Sequence, residues 1–307
     1  MILWRVWYYV KAWLRNLISI KAFTAIMSSF GTLWVVVEIT TFFFKDPAFT
    51  DAIRKAWFIF GLIGLITAAW LCRPRLAVSY KLNGRDVTIE IAVGDIFSFP
   101  GSLIIGSNST FDTRISIELI SEQSVQGIFT KEYYGDEKQL DIALSADLVS
   151  IPCEELQGTR VGKTKKYPLG TCIRLNPKQR TGYFLSIADI NEHGVASGSF
   201  NDLKEALAQL WVFIGRRGSK EPLVMPVLGT GFSRLPETRE EIVREMIKSF
   251  VAACSERTFS DKLTIVITPH DMEKHCISLD ELGSFLRHEC SYTSFSQGNQ
   301  QLIGTAI

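Results

Sequence analysis

The chain has 307 residues, room for one full α/β domain and a smaller unit, and its 33 Lys and Arg against 32 Asp and Glu leave a formal charge of +1. That balance gives no electrostatic footprint for nucleic acid, and six cysteines without paired spacing (72, 153, 172, 254, 276 and 290) suit a reducing compartment rather than a disulfide framework. An apolar fraction of 47% with a mean hydropathy of +0.14 is high for a wholly soluble protein, and the excess sits at one end.

Residues 1–21 interleave Trp4, Trp7, Tyr8, Tyr9 and Trp13 with Arg5, Lys11, Arg15 and Lys21, the composition of a helix lying in a headgroup layer. Residues 22–44, AFTAIMSSFGTLWVVVEITTFFF, hold a single ionisable group, Glu38, and as a helix would run about 34 Å, enough to cross a bilayer core. A second apolar run, 56–71, would reach only about 24 Å and would need Ile53 and Cys72 to extend it, and a buried core helix is its alternative reading. Basic residues before the first run, and Arg73, Arg75, Lys81 and Arg85 after the second, favour a transmembrane hairpin over residues 22–72 with both termini in the cytoplasm. The connector, with Lys45, Arg54 and Lys55 against Asp46 and Asp51, carries less basic excess. No small-residue cleavage site follows a short apolar core, which argues against a cleaved signal peptide. In a Gram-negative host the expected location is the inner membrane, crossed twice.

Residues 76–290 read as one cytoplasmic globular domain, and 291–307, rich in Ser, Gln and Gly, as a loosely ordered polar tail. Short apolar runs at 87–93, 102–107, 171–175, 183–190, 222–228 and 262–268 predict strands. Leu203, Ala206, Leu207, Leu210, Trp211 and Ile214 form one helix face, with Ser199 and Asp202 as its start signal. Ile242, Met246, Phe250 and Cys254 predict a second helix, and Leu140, Leu144 and Leu148 a third. The fold class expected is α/β, a mixed sheet flanked by helices.

Strand exits in such sheets are where ligands collect. Here Gly94-Asp95-Ile96 follows the first strand, Gly106-Ser107-Asn108 closes the second, and PLVMPVL runs into Gly229-Thr230-Gly231-Phe232. Two glycine-bearing loops, 124–129 and 229–232, could turn successive N–H groups towards one anion, and Phe232 could pack on a ribose. Plain turn roles stay open for each: Asp95 as a cap, Asn108 within a turn, the glycines as bends. The basic clusters Lys163–Lys166 and Arg216–Arg217 read as solvated turns, and His193 as a turn residue. The spacings of His270, His275, Cys276, His288 and Cys290 fit no strong metal-ligand pattern.

Taken in order, the GDI turn, the strand ending in asparagine, the glycine loop at a helix entry and the late strand running into GTG with an aromatic resemble the macro domain, the ADP-ribose-binding module, over roughly residues 82–275. The resemblance implies that Asp95, with Ile96 beside it, accepts the adenine amino group and that Asn108 lies near the distal ribose. It further implies that Ser124, Val125, Gln126, Gly127 and Ile128, with Leu228, Gly229, Thr230, Gly231 and Phe232, clamp the diphosphate. Hydrolysing macro domains carry a longer asparagine signature and a glycine loop ending in Val-Asp-Gly; this chain has Gln126 in place of that acid, and an amide cannot act as general base. The resemblance therefore implies binding without a catalytic residue, cofactor or metal, and a membrane-tethered hydrolase of ADP-ribose conjugates is the alternative.

An apolar hairpin joined to VGDIF, IGSNSTFDT and SVQGIFTKEYY is similar to the macro-type effectors of the Thoeris anti-phage defence system. What that likeness implies is a partner with a TIR domain that makes an ADP-ribose derivative carrying histidine. It also implies an effector that binds this signal, self-associates and disrupts the lipid bilayer, so that the infected cell dies before phage release.

Overall fold

The structure, a computed structural model, describes residues 2–43, 51, 57–115, 119–157, 161–177, 180–191, 195–229 and 235–292. It divides into two compact units, Met1–Leu76 and Ala77–Ile307.

The first unit is helical: α1 (Ile2–Leu17), α2 (Ile20–Phe43) and α3 (Trp57–Leu71). Ser19 marks the elbow between α1 and α2, where its carbonyl accepts the Ala22 amide at 3.0 Å and its hydroxyl donates to Asn16 O at 2.5 Å. Trp13 Nε1 donates to Ala69 O at 3.0 Å and Asn16 Nδ2 to Cys72 O at 3.2 Å, tying α1 to the end of α3. Ala22, Ala68 and Cys72 are buried together, and such small residues let helix backbones approach closely. Along α2 the hydroxyls of Ser29, Thr32 and Thr41 return to the carbonyls of Ala25, Ser28 and Val37, so they do not need outside partners. Among the described residues one helix, α2 with 24 residues, is long and apolar enough to cross a membrane. At 15 residues α3 spans about 22 Å and falls short of a bilayer core. The connector expected between two spans, with Lys45, Arg54 and Lys55, lies outside the described residues.

The second unit is built on a mixed sheet. Its strands are β1 (Ala77–Lys81), β2 (Thr88–Val93), β3 (Ser102–Asn108), β6 (Cys172–Leu175), β7 (Gly182–Ile190), β9 (Leu223–Pro226) and β10 (Lys262–Ile267), in the order β1-β2-β10-β9-β3-β7-β6. The five inner strands run parallel and the two edges antiparallel. β8 (Ala196–Ser197) pairs with the end of β7, and β4 (Glu154–Glu155) with β5 (Lys165–Lys166) in a separate ribbon. Buried on both faces, the inner strands need continuous apolar runs, which is what made them readable; β1 alternates exposed and half-buried residues as an edge should.

The helices are α4 (Val125–Phe129), continued by a π turn to Tyr134, then α5 (Glu137–Leu148), α6 (Phe200–Arg217), α7 (Arg239–Glu256), α8 (Pro269–Lys274) and α9 (Leu279–Tyr292). On one face Phe129, Leu140, Leu144 and Leu148 pack on Leu103, Ile105 and Phe184. Elsewhere in the unit, Trp211 of α6 meets Phe250 of α7 edge-on at 5.2 Å and stacks on Phe259 at 5.8 Å. Ser199 and Thr238 start α6 and α7 with full capping boxes.

Some sequence expectations are corrected here. Lys165–Lys166 form β5 and Arg216–Arg217 the last turn of α6, so neither cluster is a turn. The run 222–228 yields a strand only to Pro226, where the ladder loses a donor. β1 offers no continuous apolar run to signal a strand, and α9 extends through Tyr292 into the stretch read as tail.

Candidate functional site

The parallel register brings the C-terminal ends of β2, β10, β9, β3 and β7 to one edge of the sheet. From β3 the chain goes on to β6 and β7 on one side; from β9 it goes on to β10 on the other. The gap between β9 and β3 is thus a topological switch point, where connections diverge and a crevice opens. The β3–β9 ladder has only two paired positions, Ser102 with Leu223 and Leu103 with Val224, and then the strands part. Leu228 and Gly229 follow the end of β9 and Asn108 closes β3, on the two sides of that switch point, and Asp95 leaves the sheet three strands away from Asn108, about 14 Å at ordinary strand spacing.

Asp95 is half-buried and caps a single 3-10 turn, Ile96–Ser98, accepting the Phe97 amide at 3.1 Å. Ile96 is buried beside it and packs in the core cluster with Leu103 and Ile105. The cap role and a ligand role are compatible, since a carboxylate offers about four acceptor positions.

Asn108 sits at a β-bulge that follows Ser107. Its Oδ1 accepts the Asp112 amide at 3.0 Å and the Thr110 hydroxyl at 3.2 Å, while its Nδ2 donates to Asp112 Oδ2 at 3.0 Å. Asp112, 2% exposed, also accepts Thr110 Oγ1 at 2.8 Å and the Lys163 amide at 2.8 Å. Gln126, buried as well, donates Nε2 to Asp112 O at 2.7 Å. Within this turn Phe111 is held at a φ of 50°, where a bulky residue is strained, braced by the Tyr167 ring at 5.8 Å. Farther along the same edge Asp189 accepts Ser109 Oγ at 3.1 Å and pairs with Lys166 Nζ at 2.8 Å.

Ser124 caps α4, its Oγ accepting the Gly127 amide at 3.0 Å, and Val125 and Gln126 supply first-turn amides outside the helix's own ladder. Val125 and Ile128 are half-buried. Gly127 has a packing reason of its own: a Cβ there would lie 2.3 Å from Ser121 O and 2.9 Å from Glu122 Cα. Gly229 has φ 70° and would place a Cβ 2.4 Å from Leu235 Cδ1. Thr230, Gly231 and Phe232, like His193, lie outside the described residues. The site thus brings Asp95, Ile96, Asn108, Leu228 and Gly229 to one sheet edge. Asp112, the acid nearest Asn108, went unread in the sequence; its signal is the i, i+2, i+4 run Asn108, Thr110, Asp112, which closes an Asx-type turn. Among the described residues no three His, Cys, Asp or Glu side chains gather as a metal site.

Residues 89–268 match the family model described as Thoeris protein ThsA, Macro domain. The chain is 26% identical over 206 residues to Thoeris protein ThsA of Bacillus amyloliquefaciens (strain Y2), covering 64% of this chain and 67% of that protein. Among solved structures it is similar to the Oceanobacillus iheyensis macrodomain with ADP, at 16% identity and a TM-score of 0.45, over 70% of this chain and 96% of that one. The same macrodomain with MES bound gives 16% identity and a TM-score of 0.43, over 70% and 97%.

Proposed function

The chain belongs to the macro-domain family of Thoeris ThsA proteins, and we propose that it is a membrane-anchored receptor that binds an ADP-ribose-derived signal in the crevice between β9 and β3 and then acts on the bilayer. The observation that carries this reading is the switch point itself. Asp95, the Leu228–Gly229 bend and Asn108 share one edge, in an order that suits a donor amine, a diphosphate and a distal ribose in turn. Asp95 would accept from the adenine amino group. The amides at the start of α4 and at Gly229 would face the phosphates. Asn108 would meet the distal ribose, and the group carried there, histidine in the proposed signal, would extend towards the end of β7.

The receptor reading assigns no chemical step. Gln126 spends its amide on a buried backbone carbonyl, and the carboxylate of Asp112 is taken by three donors, so neither is poised to activate water. A TIR-domain partner would supply the signal, and ligand-driven self-association followed by membrane disruption would end the infected cell. Two helices, α2 and α3, would anchor the chain, with both termini in the cytoplasm.

Calorimetry of the full chain in detergent, with ADP-ribose and with its histidine conjugate, tests the reading. Binding of both, tighter for the conjugate, with chemically unaltered ligand recovered after long incubation, is expected; recovery of cleaved ligand would make this an enzyme. Labelling of an Ala48→Cys variant from outside intact cells tests the topology, and protection of that site would overturn it.

A further inference from the structure

The segment Gly94–Gly101 carries Asp95 and Ile96 from the end of β2 to the start of β3, passing β10 and β9 with only one 3-10 turn of its own. Its ends are fixed. The Gly94 amide donates to Ile267 O at 3.0 Å, and the Ser102 amide to Pro222 O at 2.8 Å. Gly101 holds φ 123° where a Cβ would meet Pro222 O at 2.5 Å. Its middle leans on one distant side chain. Arg180, just before β7, donates Nε to Gly101 O at 2.6 Å, Nη1 to Phe97 O at 3.3 Å and Nη2 to Phe99 O at 2.5 Å. Three carbonyls of alternate residues therefore converge on one planar guanidinium, beside a hollow of about 510 Å³ lined by Phe97, Phe99, Pro100 and Thr181.

We propose that Arg180 is a positioning residue for the nucleobase end of the crevice: by gathering the carbonyls of Phe97, Phe99 and Gly101 it fixes the 3-10 turn whose cap, Asp95, reads the base. This rests on the reading of Asp95 given above. The physical argument is geometric. Five N–H donors in a rigid fork can hold three carbonyls at once, whereas an ammonium is a point charge on a flexible stem. Without the fork the carbonyls turn to water, the turn loosens, and the Asp95 carboxylate loses its fixed direction although it keeps its own cap bond to Phe97.

The test uses the full chain in detergent, with ADP-ribose and its hypoxanthine counterpart as probes, the second lacking the exocyclic amine. Arg180→Ala, Arg180→Lys and Arg180→Gln are compared with the unaltered chain by calorimetry, and thermal melting identifies the variants that fold. The unaltered chain should prefer ADP-ribose. In every variant that melts cooperatively, ADP-ribose affinity should fall about tenfold while the hypoxanthine analogue changes little, so that the preference collapses, with Lys retaining more of it than Ala. A merely structural arginine would lower the melting temperature and leave the preference intact, and that result in the folded variants overturns the proposal. If the unaltered chain binds neither probe, the nucleotide reading fails and takes this one with it; if it binds both equally, Asp95 does not read the amine and only the positioning role is lost.

Discussion

Asn108 and Asp112 face one another across a single turn, the amide nitrogen of the first 3.0 Å from a carboxylate oxygen of the second. The contact orients the asparagine: with Nδ2 directed at a carboxylate and Oδ1 accepting two donors, the side chain has one rotamer and one amide orientation that satisfy it. The residue expected at the distal ribose is thus held by an acid that neighbours it in sequence.

Replacing Asp112 with Ala should therefore act on folding before it acts on ligand. The Asn108 amide and the Lys163 backbone amide would lose their acceptor together, the single Thr110 hydroxyl proton would be left with Asn108 Oδ1 alone, and donors taken from water without partners cost about 1 to 3 kcal/mol each. A loss of about 3 kcal/mol or more in denaturant midpoint analysis is expected. Asn108→Ala, which leaves Asp112 two of its acceptor bonds, should cost less.

At the other end of the crevice, the cap role of Asp95 and its proposed ligand role are separable. Asp95→Asn keeps an oxygen for the Phe97 amide and should melt as the unaltered chain does. Asp95→Ala removes both functions. Calorimetry should find ADP-ribose bound about tenfold to a hundredfold more weakly by Asp95→Ala, the loss expected when a buried amine has no acceptor. Equal affinity in Asp95→Ala would remove the adenine assignment.

The sequence made these two residues visible for different reasons. Asp95 follows a glycine at the end of a continuous apolar run, and Asn108 closes the next, so strand ends and polar exits could both be located from hydropathy alone. Arg180 could not, because its role depends on which strands become neighbours; Asp112 has only the local spacing of Asn108, Thr110 and Asp112 to mark it. Arg180 lies 79 positions from Gly101, whose carbonyl it binds. β1 offers no continuous apolar run because an edge strand buries little of its surface.

Gly127 illustrates a glycine that read as a loop signal and has a packing cause. An alanine there would press on the Ser121 carbonyl and the Glu122 backbone, neither of which is the end of a flexible side chain. Gly127→Ala should lower stability by about 1 to 3 kcal/mol, the usual range for overpacking. Thermal melting without ligand checks this; an unchanged melting temperature would return Gly127 to a ligand role alone.

Glu38 is the one carboxylate within α2, and it is exposed along that helix. Centred in a span, it costs about 2 to 3 kcal/mol unless it faces water or a partner. Glu38→Gln should keep expression and ADP-ribose binding yet lose toxicity in cells that produce the signal. Undiminished killing would leave the carboxylate no part in the membrane step.

The thiols give a pH-dependent check on the core. Burial pushes Cys254 up to about 12, against the pull of Arg85, and burial with the charge of Glu289 pushes Cys290 up to about 11. A raised thiol value means that the neutral form is favoured in the folded state. Its stabilisation is complete below about pH 9, the ordinary thiol value, and is lost as pH rises towards those raised values. At pH 8 a maleimide should label exposed Cys153 and Cys276 in the native chain and leave Cys172, Cys254 and Cys290 unmodified. Melting temperatures should begin to fall above pH 9, less steeply in Cys254→Ala.

With two paired positions, the ladder between β3 and β9 is the shortest on the sheet's seven-strand path. Mechanically the domain is two plates, one carrying β1, β2, β10 and β9 and the other β3, β7 and β6, joined by a narrow strip at their centre. A ligand bound as proposed would hold Asp95 on one plate and Asn108 on the other, and so act as a splint. Backbone amides flanking the strip should exchange with solvent faster than those inside either plate, and slow selectively when the splint is in place. A rod that reaches only one plate, such as a free nucleoside, should leave that rate where it was.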